Sequence, residues 1–316
     1  MQPFTEAGRI NALCLAAVAL PLILDTDIGS DIDDALALAF CLRHPDIDLV
    51  AVTTVADDTV RRGHWARKIL ALAGRDDIEV AAGVGWESSP SGRASAWPHD
   101  GHGLLQPQDR FELSARDGVT LLLETPDTAI STIGMPSNIA AALDRDPSFA
   151  QRVPLLAVMG GVFAPILVDG GPTLPPAIDH NLCVDPVASV KALNAGIPSL
   201  YTPIDVTVRA RLRGRHLEAL RGGDAFCRAI ATAIETWHPT SHMLPGTIAV
   251  MHDPLTVACL IDRSFVRTMR EPVTVARHGN GHVRTFVDPL EGHEAEIVTS
   301  VDGDGFCDFW LETVLG

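Results

Sequence analysis

Five aspartates lie within residues 25–34, and this density of carboxylates is the feature of the chain that most directly suggests chemistry. Carboxylates this close raise one another's pKa unless a cation lies among them. Their oxygens are also preferred ligands of Ca²⁺ and Mg²⁺. The acidic first turn of a helix would account for two of the five. The cluster therefore predicts a site for a metal ion or another ligand, and its members are Asp25, Asp27, Asp31, Asp33 and Asp34.

The surrounding pattern places this cluster between a strand and a helix. Residues 22–24 are apolar and typical of a buried strand, Gly29 permits a tight turn, and residues 33–43 have helical periodicity. Open α/β sheets bind ligands at the carboxyl ends of their strands. We therefore expect the carboxylates to line the edge of such a sheet.

Strand and helix patterns alternate along most of the chain, which implies parallel strands joined by helical crossovers. We predict an α/β fold with an open, mainly parallel sheet flanked by helices, in a single domain that spans residues 1–316. Further strands are expected near residues 47–55, 78–82, 129–133, 153–158, 199–201, 273–276, 283–287 and 296–300. Further helices are expected near residues 58–73, 139–143, 187–193 and 305–315.

The composition fits a globular protein and excludes several classes of partner. The chain is 47% hydrophobic and 20% charged, which suits a well-buried core. Its net charge of −16 argues against nucleic acid as a partner, because phosphate binding needs clustered Lys and Arg. The apolar run at residues 12–24 is too short to span a membrane, so we expect no membrane partner.

The N-terminus allows two interpretations. Residues 1–20 are expected to form a helical extension of a cytoplasmic protein, because Glu6 cancels the charge of Arg9 and Pro21 begins the first strand. The alternative is a signal peptide on an exported protein, since Arg9 precedes the apolar run and residues 17–19 have the small-x-small form of a cleavage site.

The first acidic segment also resembles a known family signature. Asp25-Thr26-Asp27-Ile28-Gly29, followed by Asp33 and Asp34, resembles the N-terminal motif of the inosine–uridine-preferring nucleoside hydrolases. The common motif has one residue between the glycine and the paired aspartates, whereas this chain has Ser30, Asp31 and Ile32 there.

Four later segments match the same family in the expected order, so the resemblance covers most of the chain. Residues 134–140 are similar to its G-P-L-T-N-[IL]-A segment, and residues 158–163 to its M-G-G strand end. Residues 179–186 resemble its E-F-N…V-D-P segment, and residues 252–258 its H-D-P-L-x-V-A segment. The resemblance implies one bound Ca²⁺, cleavage of the N-glycosidic bond of ribonucleosides, and a homodimer or homotetramer.

The resemblance also implies which residues hold the metal. Asp27 would be both a ligand and the general base that activates water, because a carboxylate beside a cation can take the proton of a water whose pKa the cation has lowered. Asp34 and Asp253 would be further ligands, and Ser137 would contribute its backbone carbonyl.

The remaining roles concern the nucleoside. By the resemblance, Asp33, Asp179 and Asn181 would bind the ribose hydroxyls. Asp58 stands where the family has an asparagine that could do the same, and His252 would be the general acid that reaches the leaving base. Taken alone, His252 would be read as a histidine at a helix start with no role.

Two further histidines and three differences from the family motifs could affect which nucleoside is bound. His99 and His102 lie in a turn-rich segment that could place either at the pocket. Asp57-Asp58 replaces the family's Gly-Asn pair, Asp179 replaces glutamate, and Thr173 replaces an asparagine, all on the sugar side of the site. We expect base preference to depend on loops at about residues 84–110 and 225–250.

Two competing functions remain from the residues themselves. A phosphatase that uses a D-x-D site also places aspartates after a strand, but it needs a downstream lysine, and Lys68 and Lys191 both fall on predicted helices. The second competing function is that of a calcium- or ligand-binding protein without catalytic activity. The twelve-residue helix–loop–helix calcium spacing that would favour it is missing from the sequence.

Overall fold

The structure, a computed structural model, describes residues 19–85, 104–106, 108–168, 173–175, 179–237, 246–278 and 282–316. Its strands are β1 Leu20–Thr26, β2 Ile47–Thr54, β3 Glu79–Ala82, β4 Ala129–Thr132, β5 Leu156–Met159, β6 Ile166–Leu167, β7 Thr173–Leu174, β8 Ser199–Thr202, β9 Arg211–Leu212, β10 Ala249–Val250, β11 Val266–His278, β12 His282–Val287 and β13 His293–Val301.

Eleven α-helices are found in the same residues, together with a 3₁₀ helix at Pro147–Gln151. They are α1 Asp33–Arg43, α2 Thr59–Leu72, α3 Gly118–Glu124, α4 Ser137–Arg145, α5 His180–Val184, α6 Pro186–Leu193, α7 Ile204–Thr207, α8 Gly214–Gly222, α9 Ala225–Trp237, α10 His252–Ala258 and α11 Gly303–Leu315.

Nine of the strands form one sheet in the order β12-β11-β13-β8-β5-β4-β1-β2-β3. The strands from β13 to β3 in this order are mutually parallel, and β11 pairs antiparallel with both β12 and β13. The chain runs from β1 outward to β3 and then returns to β4 on the other side of β1. The carboxyl ends of β1 and β4 therefore form a topological switch point, where sheets of this kind bind ligands.

Both faces of the sheet are buried, as a parallel sheet requires. Successive side chains of β1 point to opposite faces. Leu22 and Leu24 pack in the core on the side of α1 and α2, while Ile23 packs in the core on the side of α3 and α4. The predicted mainly parallel α/β sheet is confirmed.

One element of the fold corrects an expectation. The stretch at residues 225–250, which we expected to be loop, begins with α9. The apolar residues Phe226, Ile230 and Ile234 recur every four positions and are buried on one face of that helix. This periodicity was available in the sequence.

Two predictions concern residues that the structure does not describe. Residues 1–18, which include most of the N-terminal extension or signal peptide, are not among the described residues, and neither are His99 and His102. In the described part of the chain, every helix is too short or too polar to cross a bilayer.

Candidate active site and metal centre

The acidic turn after β1 is shaped by a glycine that no other residue could replace without strain. Gly29 has φ +111°, a left-handed conformation that side chains disfavour. A Cβ atom there would also lie 2.6 Å from Cδ1 of Trp65, a buried residue of α2. The turn therefore lies directly on α2, and it leads the chain from β1 into the first turn of α1.

Three carboxylates from two helices converge beside this turn. Oxygen atoms of Asp33, Asp34 and Asp253 all lie within 4.8 Å of one another, and all three residues are buried. The first two open α1 and the third opens α10, and these two helices pack against each other. Both helix N-termini favour negative charge, which explains in part how three carboxylates can share one place.

A threonine fixes the register between the strand end and the helix start. Thr26 Oγ1 donates a hydrogen bond to Asp34 Oδ1 and accepts one of 3.1 Å from the backbone N–H of Ile28. The hydroxyl of Thr26 thus holds the carboxylate of Asp34 in one orientation.

The three carboxylates repel one another, and a bound cation would stabilise their charged forms. Burial raises the pKa of Asp33, Asp34 and Asp253 well above the usual 3.8, and the neighbouring carboxylates raise the pKa of each further. A divalent cation among the oxygens would remove that repulsion. The donor set is entirely carboxylate oxygen, which suits a hard cation such as Ca²⁺ or Mg²⁺.

Asp27 faces the same cavity from the turn. The cavity has a volume of about 580 Å³, and its lining includes Asp27, Asp33, Asp34 and Asp253. A Cβ atom at Gly134 would lie 2.9 Å from Asp27 Oδ1, so the glycine that begins the loop after β4 makes room for this carboxylate.

Asp25 lies beneath the cavity and is fully buried. It accepts hydrogen bonds from Thr53 Oγ1 at 2.7 Å, Asn138 Nδ2 at 2.7 Å and Thr132 Oγ1 at 3.1 Å. Burial raises the pKa of Asp25 to about 6, against the effect of these three donors. The side chain ties β1 to both neighbouring strands, so it holds the turn that carries Asp27 in place.

Asp179 and Asn181 also line the cavity. Asp179 caps α5 by accepting from the N–H of Leu182, and it also accepts a 2.7 Å bond from the N–H of Gly161. Burial raises its pKa to about 6. Asn181 Nδ2 donates to the carbonyl of Ile133 at 2.7 Å, which aims the amide group at the switch point.

His252 lines the cavity at the start of α10. Its Nδ1 lies 2.6 Å from Thr207 Oγ1, so the hydroxyl fixes the orientation of the ring. Burial lowers the pKa of His252 to about 4, and the imidazole is therefore neutral at pH 7.

Two of the residues expected from the sequence do not line this cavity in the described structure. Asp58 is exposed and caps α2 by accepting from the N–H of Arg61 at 3.0 Å, next to a separate small depression. Ser137 is buried at the start of α4, where its hydroxyl donates to Asp185 Oδ2 at 2.7 Å.

Other cavity residues were missed by sequence reasoning. His180 and Ser30 lie next to predicted residues, so their positions in the motifs were a usable signal. His282 comes from β12, a strand with no motif, and the sequence holds no signal for it.

Comparisons with known proteins find relatives along most of the chain. Residues 22–308 match the family described as inosine-uridine preferring nucleoside hydrolase. The pyrimidine-specific ribonucleoside hydrolase RihA of Salmonella arizonae is 29% identical over 320 residues, covering 93% of this chain and 98% of the relative. RihA of Citrobacter koseri is 28% identical over the same shares of each chain.

Solved structures show the same fold. A plant nucleoside hydrolase superposes with a TM-score of 0.80 at 25% identity, covering 93% of this chain and 98% of its own. The purine-preferring ribonucleoside hydrolase of Gardnerella vaginalis superposes with a TM-score of 0.77 at 22% identity and the same coverage. According to their names, these relatives differ in the class of base that they prefer.

Proposed function

The chain belongs to the inosine–uridine preferring nucleoside hydrolase family, and we propose that it cleaves ribonucleosides to free base and ribose with the aid of one bound Ca²⁺. The observation that carries the proposal is the buried group of Asp33, Asp34 and Asp253, whose oxygens lie within 4.8 Å of one another at the switch point of the sheet.

The metal would be held by carboxylates from both ends of the chain. Asp34 and Asp253 are the ligands common to the resemblance and to the geometric group, and Asp27, proposed as a third ligand, lines the same cavity. We further propose that the carbonyl of Ser137 completes the set and that Asp33 binds a ribose hydroxyl close to the cation. When bound, the cation supplies charge that lowers the pKa of water and orients the ribose.

Asp27 is proposed as the general base. Its backbone carbonyl accepts a hydrogen bond from Arg62 Nη1, and the residue lines the cavity. As the N-glycosidic bond breaks, its electron pair leaves with the base and positive charge develops on the ribose. The attacking water then bonds to the anomeric carbon and gives its proton to Asp27, which leaves neutral ribose. Asp179 and Asn181, which line the same cavity, would bind ribose hydroxyls and so orient the ring.

His252 is proposed as the group that meets the leaving base. Its imidazole is neutral at pH 7 because burial lowers its pKa to about 4. Negative charge that develops on a departing base favours the protonated ring, since an opposite charge nearby raises the pKa of a histidine. Thr207 holds the other ring nitrogen, so His252 would act through Nε2.

The cavity suits a nucleoside better than a phosphate ester. A volume of about 580 Å³ lies within the range of small-molecule sites. Its described lining contains carboxylates, an amide and imidazoles but no lysine or arginine, which a phosphatase would need. The proposal covers purine and pyrimidine ribonucleosides alike, since the relatives' names include both pyrimidine-specific and purine-preferring enzymes.

A nucleoside panel tests this proposal. Purine and pyrimidine ribonucleosides are incubated with protein that has been stripped by a chelator and then supplied with Ca²⁺, and released ribose is measured as reducing sugar. We expect ribose release only in the Ca²⁺-loaded sample, with about one Ca²⁺ per chain. Release that persists after complete metal removal would refute the calcium requirement, and no release from any nucleoside would refute the activity.

Assembly, cellular role and location are also proposals. A homodimer or homotetramer would cover exposed apolar side chains of the hairpin after β11, such as Phe286 and Leu290, and light scattering after size exclusion would measure it. We propose a cytoplasmic enzyme of nucleoside catabolism and salvage. The described cysteines are free and buried, as is usual in a reducing compartment.

A further inference from the structure

A buried arginine of α2 lies directly behind the acidic turn. Arg62 is 5% exposed. Its Nη1 donates to the backbone carbonyls of Asp27 and Ile28, the latter at 2.9 Å, and its Nη2 donates to Ser30 Oγ at 3.0 Å. The guanidinium therefore contacts three of the four residues from Asp27 to Ser30 and follows the path of that turn.

The same guanidinium also holds the connection between β2 and α2. Its Nε donates to the carbonyl of Ala56 at 2.9 Å, and its Nη2 forms a 3.0 Å ion pair with Asp57. Ala56 and Asp57 have φ values of 65° and 50°, a conformation that residues other than glycine rarely adopt. Arg62 thus joins two loops that follow neighbouring strands.

We propose that Arg62 is a positioning residue that sets the backbone of residues 27–30 in the shape required for calcium binding. This inference rests on the metal site proposed above. Lysine could not replace the guanidinium, because a single ammonium cannot present donors in a planar fork to acceptors in two loops.

Losing the charge of Arg62 and losing its hydrogen bonds should change the calcium affinity in opposite directions, so the direction of the change tests the proposal. A guanidinium repels a bound cation, so removing its charge alone should tighten Ca²⁺ binding. Losing the hydrogen bonds should loosen binding, because the turn that presents Asp27 is no longer fixed. If positioning dominates, removal of Arg62 weakens calcium affinity despite the favourable change in charge.

The experiment measures the Kd for Ca²⁺ by calorimetry on chelator-stripped protein, with circular dichroism as the check on folding. We expect Arg62→Gln and Arg62→Lys each to weaken the Kd by about 10–100-fold, as losses of groups that orient metal ligands do. The matched control is Arg61→Gln, which removes the same charge from the exposed neighbour on α2. Its Kd should stay within about twofold of the wild-type value.

The outcomes separate the two proposals. If wild-type protein binds no Ca²⁺, both the metal site and this inference are overturned. If wild-type protein binds Ca²⁺ but both Arg62 variants keep or improve the Kd, only the positioning role is overturned, even where their melting temperature falls. A variant that folds only with Ca²⁺ supports the role, because the turn then no longer forms unaided.

A milder pair of variants decides the question if neither Arg62 variant folds. Asp57→Asn removes the ion-pair partner of Arg62, while Asp58→Asn removes an equal charge next to it and keeps a side chain that can cap α2. We expect Asp57→Asn to weaken the Kd for Ca²⁺ at least about threefold more than Asp58→Asn, the size of one hydrogen bond. Equal effects would overturn the proposal.

Discussion

Replacing Asp253 by asparagine should have opposite effects on the metal-free and the calcium-bound protein. Two unit charges 4.8 Å apart repel by about 3.5 kcal/mol at an effective dielectric constant of about 20. Asp253 has two such neighbours, Asp33 and Asp34, but partial protonation relieves much of this repulsion. We therefore expect Asp253→Asn to stabilise the metal-free protein by about 1–3 kcal/mol.

The same substitution should weaken calcium binding, because it removes one charged ligand. We expect a Kd at least about 100-fold higher. Thermal unfolding with excess chelator measures the first effect, and calorimetric titration with Ca²⁺ measures the second. The control is Asp48→Asn, on the exposed face near the start of β2, which should change neither.

One result would refute this reasoning. If Asp253→Asn lowers the melting temperature of the metal-free protein and leaves the Kd for Ca²⁺ unchanged, the three carboxylates stabilise the fold by hydrogen bonding and do not form a cation site. A gain in metal-free stability of the same size in Asp48→Asn would show that net charge, and not the cluster, is responsible.

Three further predictions concern catalysis and pH. Asp27→Asn should lower kcat at least about 10²-fold in a folded protein, since it removes the proposed base; near-normal turnover would mean that another aspartate of the turn has this role. His252→Ala should slow hydrolysis of inosine or uridine far more than that of p-nitrophenyl riboside, whose leaving group needs no proton; equal losses would assign His252 to binding or structure. The pKa values of Asp33, Asp34 and Asp253 are raised in the folded metal-free protein, which therefore binds more protons than the unfolded chain. The stability of the metal-free protein should fall as pH rises from about 4 through the raised pKa values of these carboxyls. Calcium affinity should rise over the same pH range. Melting curves and calcium titrations over that pH range measure both, and a metal-free protein that gains stability with pH would contradict the prediction.

Local parts of the site could be predicted from the sequence because their signals are local. The strand, the turn at Gly29 and the helix from Asp33 follow directly from residue types and periodicity, and they confirm the expected β1–α1 unit. The expected helix near residues 187–193 is likewise confirmed as α6, with Pro186 at its first position.

Long-range parts were predicted only through the family motifs or not at all. Nothing in the residues around Asp253 places it beside Asp34; that contact depends on the packing of α10 against α1. His282 reaches the cavity from a hairpin whose pairing is set by tertiary contacts. The strand expected at residues 273–276 is part of the longer β11, because exposed residues such as Arg267 and Arg270 hide the alternation that marks a strand.

A hydrogen bond between the two ends of the fold has a consequence for how the enzyme is made. Trp310 of α11 donates its indole N–H to the carbonyl of Leu36 at 3.1 Å, on the helix that begins with Asp33 and Asp34. Synthesis proceeds from the N-terminus, and domains fold as units. The helix that carries Asp33 and Asp34 is therefore made before its packing partner α11, since Trp310 follows Leu36 by 274 residues. Asp33 and Asp34 likewise precede Asp253 in synthesis, so the proposed cation site can form only after α10 and α11 have been made and have packed against α1.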